Sequence, residues 1–268
     1  MFNKGNFFKN YLIDAAKYKQ NLKKNKFFFK FFVEDLQNNK FPTLEPYNKN
    51  YENNFSPTLV KKFSKFKNFV IIGMGGSILG TKCIYSFFKD KIKKKVFFFD
   101  NLDPNLNLQY KNLKNLKSTC YIVISKSGNT LETITNMKVI FSKQLVKNKL
   151  IIITEIADND IMVLAKKYQA EIIEHKSFIG GRYSVLSEIG MLPAKLIGLD
   201  IMQFKNLAKL IKNKNFTNCL IQNVATIYTL NTKGFKNSVI FNYDSNLDNL
   251  GYWYQQLIAE SLGKEGKG

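Results

Sequence analysis

The chain is short of the residues that usually carry site chemistry. Among 268 residues there is one histidine (His175), one arginine (Arg182) and three cysteines (Cys83, Cys120, Cys219). The cysteines are scattered, show no metal-ligand spacing and cannot all pair with one another, so the expected setting is a reducing cytoplasm. No apolar run approaches a membrane span, and the aromatic stretch from Lys26 to Val33 is broken by Lys30. The opening residues, MFNKGNFFKNYLIDAA, lack the continuous apolar segment of a secretory signal. Acidic residues are scarce too, 20 against 41 basic, which leaves a formal net charge of +21. All the basic residues but Arg182 are lysines, spread over the whole length among Asn, Phe and Ile. That is compositional drift and not a patch. A nucleic-acid binder concentrates positive charge on one face and uses arginine forks, so no specific nucleic-acid partner is expected. Salt-sensitive DNA binding would follow from the charge alone. What the potential does favour is the capture of small anionic substrates.

What is present is enough for a core. The chain is 45% hydrophobic, and its length suits one large domain or one domain plus part of a second. Residues 1–60 read as a helical segment over Tyr11 to Phe32, then a connection marked by Pro42, Pro46 and Pro57; they carry no motif. From residue 61 to 200 short apolar runs alternate with helical stretches. The runs are Phe69–Gly73, Val96–Asp100, Cys120–Ser125, Leu150–Thr154 and, more weakly, Glu171–Glu174. Helices are expected over Ser77 to Asp90, from about Pro104, over Thr130 to Leu145, from near Asn159 and over Leu186 to Leu199. This is the pattern of βαβ units and a doubly wound parallel sheet, here expected in flavodoxin-like order. Residues 201–268 read as a helical connection over about 202–230, a new strand at Ser238–Asn242 and a helix over Asp248 to Leu262. That predicts the first βα unit of a second α/β domain, left incomplete because one strand cannot bury a sheet; the expectation is a fragment.

Two loops carry polar chemistry. Gly73-Met74-Gly75-Gly76-Ser77-Ile78-Leu79-Gly80 joins the first strand to its helix, where glycines admit a ligand to the backbone and the helix start offers free N–H groups. A phosphate site, a dinucleotide site and a plain turn all remain open. The dinucleotide fingerprint lacks its third glycine, at Ile78, although Asp100 stands where a ribose acid would. Gly80 is followed by Thr81 and Lys82, the wrong order for a P-loop. Ser125-Lys126-Ser127-Gly128-Asn129-Thr130 follows the third strand. Three hydroxyls and an ammonium at a helix start exceed what an N-cap needs and suit a phosphate dianion. In flavodoxin-like order the first and third strands are neighbours, and both loops then face one crevice.

Arg182 lies in Gly180-Gly181-Arg182-Tyr183-Ser184. It is either an oxyanion clamp or a structural partner of a carboxylate. Glu260, within Gln255–Lys264, reads by itself as an ordinary exposed carboxylate. His175 reads as a surface or capping residue.

Taken together, GMGGSILG at 73–80, SKSGNTLET at 125–133, GGRYSVLSEIG at 180–190 and QQLIAESLGKEGKG at 255–268 resemble the glucose-6-phosphate isomerase family, across roughly residues 67–268. The resemblance implies two sugar-isomerase α/β domains, an active site between them and a homodimer when the protein is full length. It implies interconversion of glucose 6-phosphate and fructose 6-phosphate in glycolysis and gluconeogenesis, through a cis-enediol(ate), without metal or redox cofactor. Ser77, Ser125, Lys126, Ser127 and Thr130 match positions that hold the substrate phosphate, with Ser127 where many members have threonine. Gly75, Gly76 and Gly181 fall in the substrate loops. Arg182 matches the arginine that stabilises the enediolate, and Glu260 matches the base. The family's ring-opening histidine and lysine have no counterpart here, and His175 does not match that histidine, so the 268 residues alone are expected to be a poor catalyst. The alternatives are a non-catalytic sugar-phosphate-binding protein of the same fold and a dinucleotide-dependent oxidoreductase.

Overall fold

The computed structural model describes residues 13–105, 108, 109, 111, 118–142 and 146–263. Within them the five apolar runs are strands: β1 (Asn68–Gly73), β2 (Lys95–Phe99), β3 (Thr119–Ile124), β4 (Leu150–Thr154) and β5 (Glu171–Glu174). They form one sheet in the order β2-β1-β3-β4-β5, every neighbouring pair parallel. This is the doubly wound, flavodoxin-like order expected from the alternation of runs and helices.

β1, β3 and β4 are buried along their whole length because helices cover both faces. The twofold alternation of a strand divides the side chains. Val70, Ile72, Val123 and Ile152 pack against α4 (Leu131–Phe141) and α5 (Asp160–Tyr168). Phe69, Ile71, Ile122 and Ile151 pack on the other face, against Phe63 of α2 (Pro57–Phe63) and Leu192 of α6 (Glu188–Leu196). Each fully buried isoleucine contributes about 1.5–3 kcal/mol relative to an exposed one.

The N-terminal helix α1 (Ala15–Gln37) starts at Asp14, whose carboxylate caps the Ala16 and Lys17 N–H groups. It extends past the expected end at Phe32. After α3 (Leu79–Phe87), α6 and the short α7 (Leu207–Lys212) comes α8 (Lys214–Asn231), which packs on α1 through a buried 2.9 Å hydrogen bond from Asn21 to Thr229. The helix expected from Pro104 falls largely outside the described residues, as do residues 143–145.

One expected strand is corrected. Residues 238–242 form no strand, and Val239 and Phe241 are 73% and 78% exposed. A strand needs a neighbour for its hydrogen bonds, and among the described residues no strand of the sheet lies beside this run. The helix after it, α9 (Asp248–Leu262), has the expected bounds and packs on α3 of the first α/β unit.

Candidate active site

The chain leaves β1 through a 3-10 turn, Gly75–Ser77, before α3 begins. Gly75 sits at φ +52°, in the left-handed region that favours glycine. Gly76 is required for a different reason. A Cβ there would lie 2.4 Å from the carbonyl carbon of Gly181, so two backbones meet where no side chain fits. The Ser184 hydroxyl reaches both carbonyls, Gly76 O at 3.2 Å and Gly181 O at 2.6 Å. The glycine loop and the arginine turn (Gly181–Leu186) are thereby joined.

α9 closes against both. Trp253 Nε1 donates to the Arg182 carbonyl at 3.0 Å. The guanidinium donates from Nε to Ser261 Oγ at 3.0 Å and from Nη1 to Glu260 Oε2 at 3.2 Å. Its pKa is raised, first by the Tyr183 hydroxyl and then by Glu260, so it stays charged. The Tyr183 hydroxyl also lies 3.0 Å from Ser261 Oγ, and that contact lowers the tyrosine's pKa. Glu260 accepts a second bond, from Gln256 Nε2 at 2.8 Å. Gln256 stands 3.3 Å from the position a Cβ on Gly75 would occupy, and its Oε1 is buried with no hydrogen-bond partner among the described residues. The pairing and the clamp, left as alternatives for Arg182 by the sequence, are therefore compatible: its partner is the other candidate catalytic group.

The serine loop leaves β3 beside it. Gly73 and Ile124 are paired across β1 and β3, and a Cβ at Gly73 would meet Ile124 O at 3.0 Å and Ser77 Cβ at 3.5 Å. Ser77 thus sits over the strand end from which the serine loop departs. Ser125 is buried; its hydroxyl accepts from the Gly128 N–H at 3.2 Å and donates to Thr130 Oγ1 at 3.1 Å. Gly128, at φ +71°, lies flush against Asn159, whose side chain caps α5. Ser127 is exposed and accepts from the Asn129 N–H at 3.4 Å. Thr130 occupies the N-cap position of α4 but makes no capping bond. The Lys126 ammonium is engaged elsewhere, with the Ser177 carbonyl at 2.6 Å and Glu155 at 3.6 Å.

Two other sequence readings change. Asp100 is ion-paired with Lys82 at 2.6 Å, which commits the carboxylate a dinucleotide ribose would need. His175 is not a surface or capping residue: it is 1% exposed, with Nδ1 3.5 Å from Glu188 Oε2. Its place directly after β5 sets its Nε2 3.3 Å from the carbonyl of Ile179, the residue before Gly180. Gln256, Ser261 and Trp253 were missed by sequence reasoning. Gln256 had a signal, four residues before Glu260 on the same helix face; the other two had none short of the docked helix.

A doubly wound α/β unit with polar loops at the carboxyl ends of adjacent strands is the architecture of the sugar-isomerase class of folds. The family model described as phosphoglucose isomerase matches residues 56–267, and the chain belongs to that family. It is 34% identical over 217 residues to a glucose-6-phosphate isomerase of Methanocaldococcus jannaschii, covering 78% of this chain and 53% of the relative. It is also 34% identical over 220 residues to one from Borreliella afzelii, covering 75% of this chain and 41% of the relative. The chain spans about half the length of the curated relatives it matches. Among solved structures, a hypothetical protein from Thermus thermophilus superposes with a TM-score of 0.73 at 20% identity, over 93% of this chain and 63% of that one. A glucose-6-phosphate isomerase from Chlamydia trachomatis does so at 0.63 and 22% identity, over 77% and 43%.

Proposed function

We propose that this chain supplies the phosphate-binding loops and the proton-transfer pair of an isomerase acting on glucose 6-phosphate and fructose 6-phosphate. The observation that carries the reading is the 3.2 Å contact of Arg182 with Glu260 beside the Gly75–Ser77 turn. A carboxylate and a guanidinium held together, next to a backbone too close-packed for side chains, suit a substrate carbon flanked by developing oxyanions.

The chemistry follows from those types. Glu260 takes the proton from C2 of the open-chain aldose, the C–H electrons form the C1=C2 bond of a cis-enediolate, and the same carboxylate returns the proton to C1. The hydroxyl proton passes between O2 and O1. Arg182 stabilises the negative charge on those oxygens and remains charged throughout. Ser77, Ser125, Ser127, Thr130 and the backbone N–H groups of the serine loop hold the phosphate, which positions the reacting carbons from the far end. Lys126 contributes through its backbone, since its ammonium is held by Ser177 and Glu155. Ring opening has no assigned residue: the only imidazole is buried against Glu188.

Fructose 6-phosphate incubated in D2O with the protein tests the reading. Deuterium at C1, lost in Glu260→Gln, is the expected result. Binding of the sugar phosphate with no exchange in any form of the protein containing this chain would favour a non-catalytic binder instead.

A further inference from the structure

Residues 42–54 precede the matched family region, yet they run beneath the arginine turn. Thr43 Oγ1 accepts from the Gly180 N–H at 3.0 Å. The Tyr51 hydroxyl donates to Glu188 Oε1 at 2.7 Å, and the Asn54 N–H donates to the same oxygen at 3.0 Å. Lys176 pairs with Glu45 at 3.6 Å and lies over the Tyr51 ring at 4.7 Å. On the other side of Glu188 stands His175, whose Nε2 is 3.3 Å from the Ile179 carbonyl. The stretch that carries Arg182 is thus tied at both ends, at Gly180 and at Glu188.

The physical need for such ties is clear. Gly180 and Gly181 leave the backbone before Arg182 freer than any other residue pair would. A catalytic group must be held to a fraction of an ångström, and loops achieve that only when packed and bonded from behind. Glu188 is fully buried, so its charge needs partners, and Tyr51 and Asn54 are two of them. Among the described residues, the side-chain hydrogen bonds of Thr43 and Tyr51 go to Gly180 and Glu188 and not to Glu260 or the serine loop.

We propose that the 42–54 strap is a positioning element for Arg182, acting through Thr43 on Gly180 and through Tyr51 on Glu188. The proposal rests on the reading of Arg182 as the oxyanion-stabilising group. The chain contains one tryptophan, Trp253, and its indole N–H donates to the Arg182 carbonyl, so its fluorescence reports the turn whether or not the protein turns over.

The variants are Thr43→Val and Tyr51→Phe, with Thr43→Ser as the conservative control. Thr43 is half-buried and its variant exchanges a hydroxyl for a methyl of similar volume, and the folded fraction of each variant is measured by circular dichroism alongside. Thr43→Val and Tyr51→Phe are expected to change Trp253 emission and its quenching by acrylamide, while Thr43→Ser matches wild type. Where wild type isomerises fructose 6-phosphate, kcat should fall by about 10- to 100-fold with KM unchanged. Unchanged emission, or kcat falling only with the folded fraction, overturns the strap. A wild-type protein that never isomerises, paired with altered emission in both variants, supports the strap and sinks only the isomerase reading.

Discussion

Arg182 and Glu260 are 78 residues apart in the chain, and their side chains meet, Nη1 to Oε2, at 3.2 Å. The contact exists because α9 lies across α3 and the arginine turn, with Trp253 and Ser261 bonding to the same arginine. Glu260 also takes a bond from Gln256, so both carboxylate oxygens are oriented before any substrate arrives.

Arg182→Lys should separate charge from geometry. An ammonium keeps the charge but cannot bond Ser261 and Glu260 from one planar fork. In a protein form that isomerises, kcat is expected to fall by about 10²–10³-fold with little change in KM, measured by coupled assay. An equal loss in KM would assign Arg182 to ground-state binding.

Gly76→Ala should cost stability as well as activity. The added Cβ would stand 2.4 Å from the Gly181 carbonyl carbon, and backbone on both sides must move. A loss of about 1–3 kcal/mol is expected from chemical denaturation. A neutral result would mean that the two glycine loops are not in contact.

The serine loop should divide into a hydroxyl that serves both the loop and the ligand and one that serves the ligand alone. Ser125→Ala strips the buried Gly128 N–H of its acceptor, at a cost of about 1–3 kcal/mol. Ser127→Ala, at an exposed position, should change stability by less than about 0.5 kcal/mol. It should nonetheless weaken fructose 6-phosphate binding by about 10-fold or more in calorimetric titration. Equal effects in both assays would argue against a phosphate at this loop.

Acid should expose Glu188. Burial works to raise its pKa, but the His175 ring 3.5 Å away and the hydrogen bonds from Tyr51 and the Asn54 N–H outweigh it, and the net value lies below the ordinary 4.5. A carboxylate with a depressed folded pKa adds stability above its unfolded pKa, and that stability is lost as pH falls through the folded value. Wild type should therefore lose more stability than Glu188→Gln between neutral pH and values below 4.5. Parallel pH profiles would show that the carboxylate is not held charged.

The 268 residues assayed alone are expected to convert cyclic sugar phosphate poorly. The single imidazole is enclosed by Glu188 and the Ile179 carbonyl and is not offered to a ring oxygen. Turnover by this chain at the rate of a full-length relative, in a coupled assay, would contradict that expectation.

Much of the sheet was legible because burial on both faces leaves a plain signature: Phe69–Gly73, Cys120–Ile124 and Leu150–Thr154 are continuous apolar runs, and their loops hold the glycines and hydroxyls. The same rule misled at Ser238–Asn242, where apolar and β-branched residues satisfy the strand pattern with no neighbour to bond. His175 was misread because a lone imidazole carries no local mark of its partner, and Glu188 is thirteen residues downstream.

Sequence alone determined the strands, the two polar loops and the residue types available for chemistry, since these depend on local periodicity and on which side chains are polar where apolar ones would pack. Only the tertiary structure decided which of those residues share a site. The meeting of Gly76 with Gly181, of Arg182 with Glu260 and of Thr43 with Gly180 depends on how helices and loops distant in the chain pack over one sheet, and that packing is set by the whole core and not by any single segment.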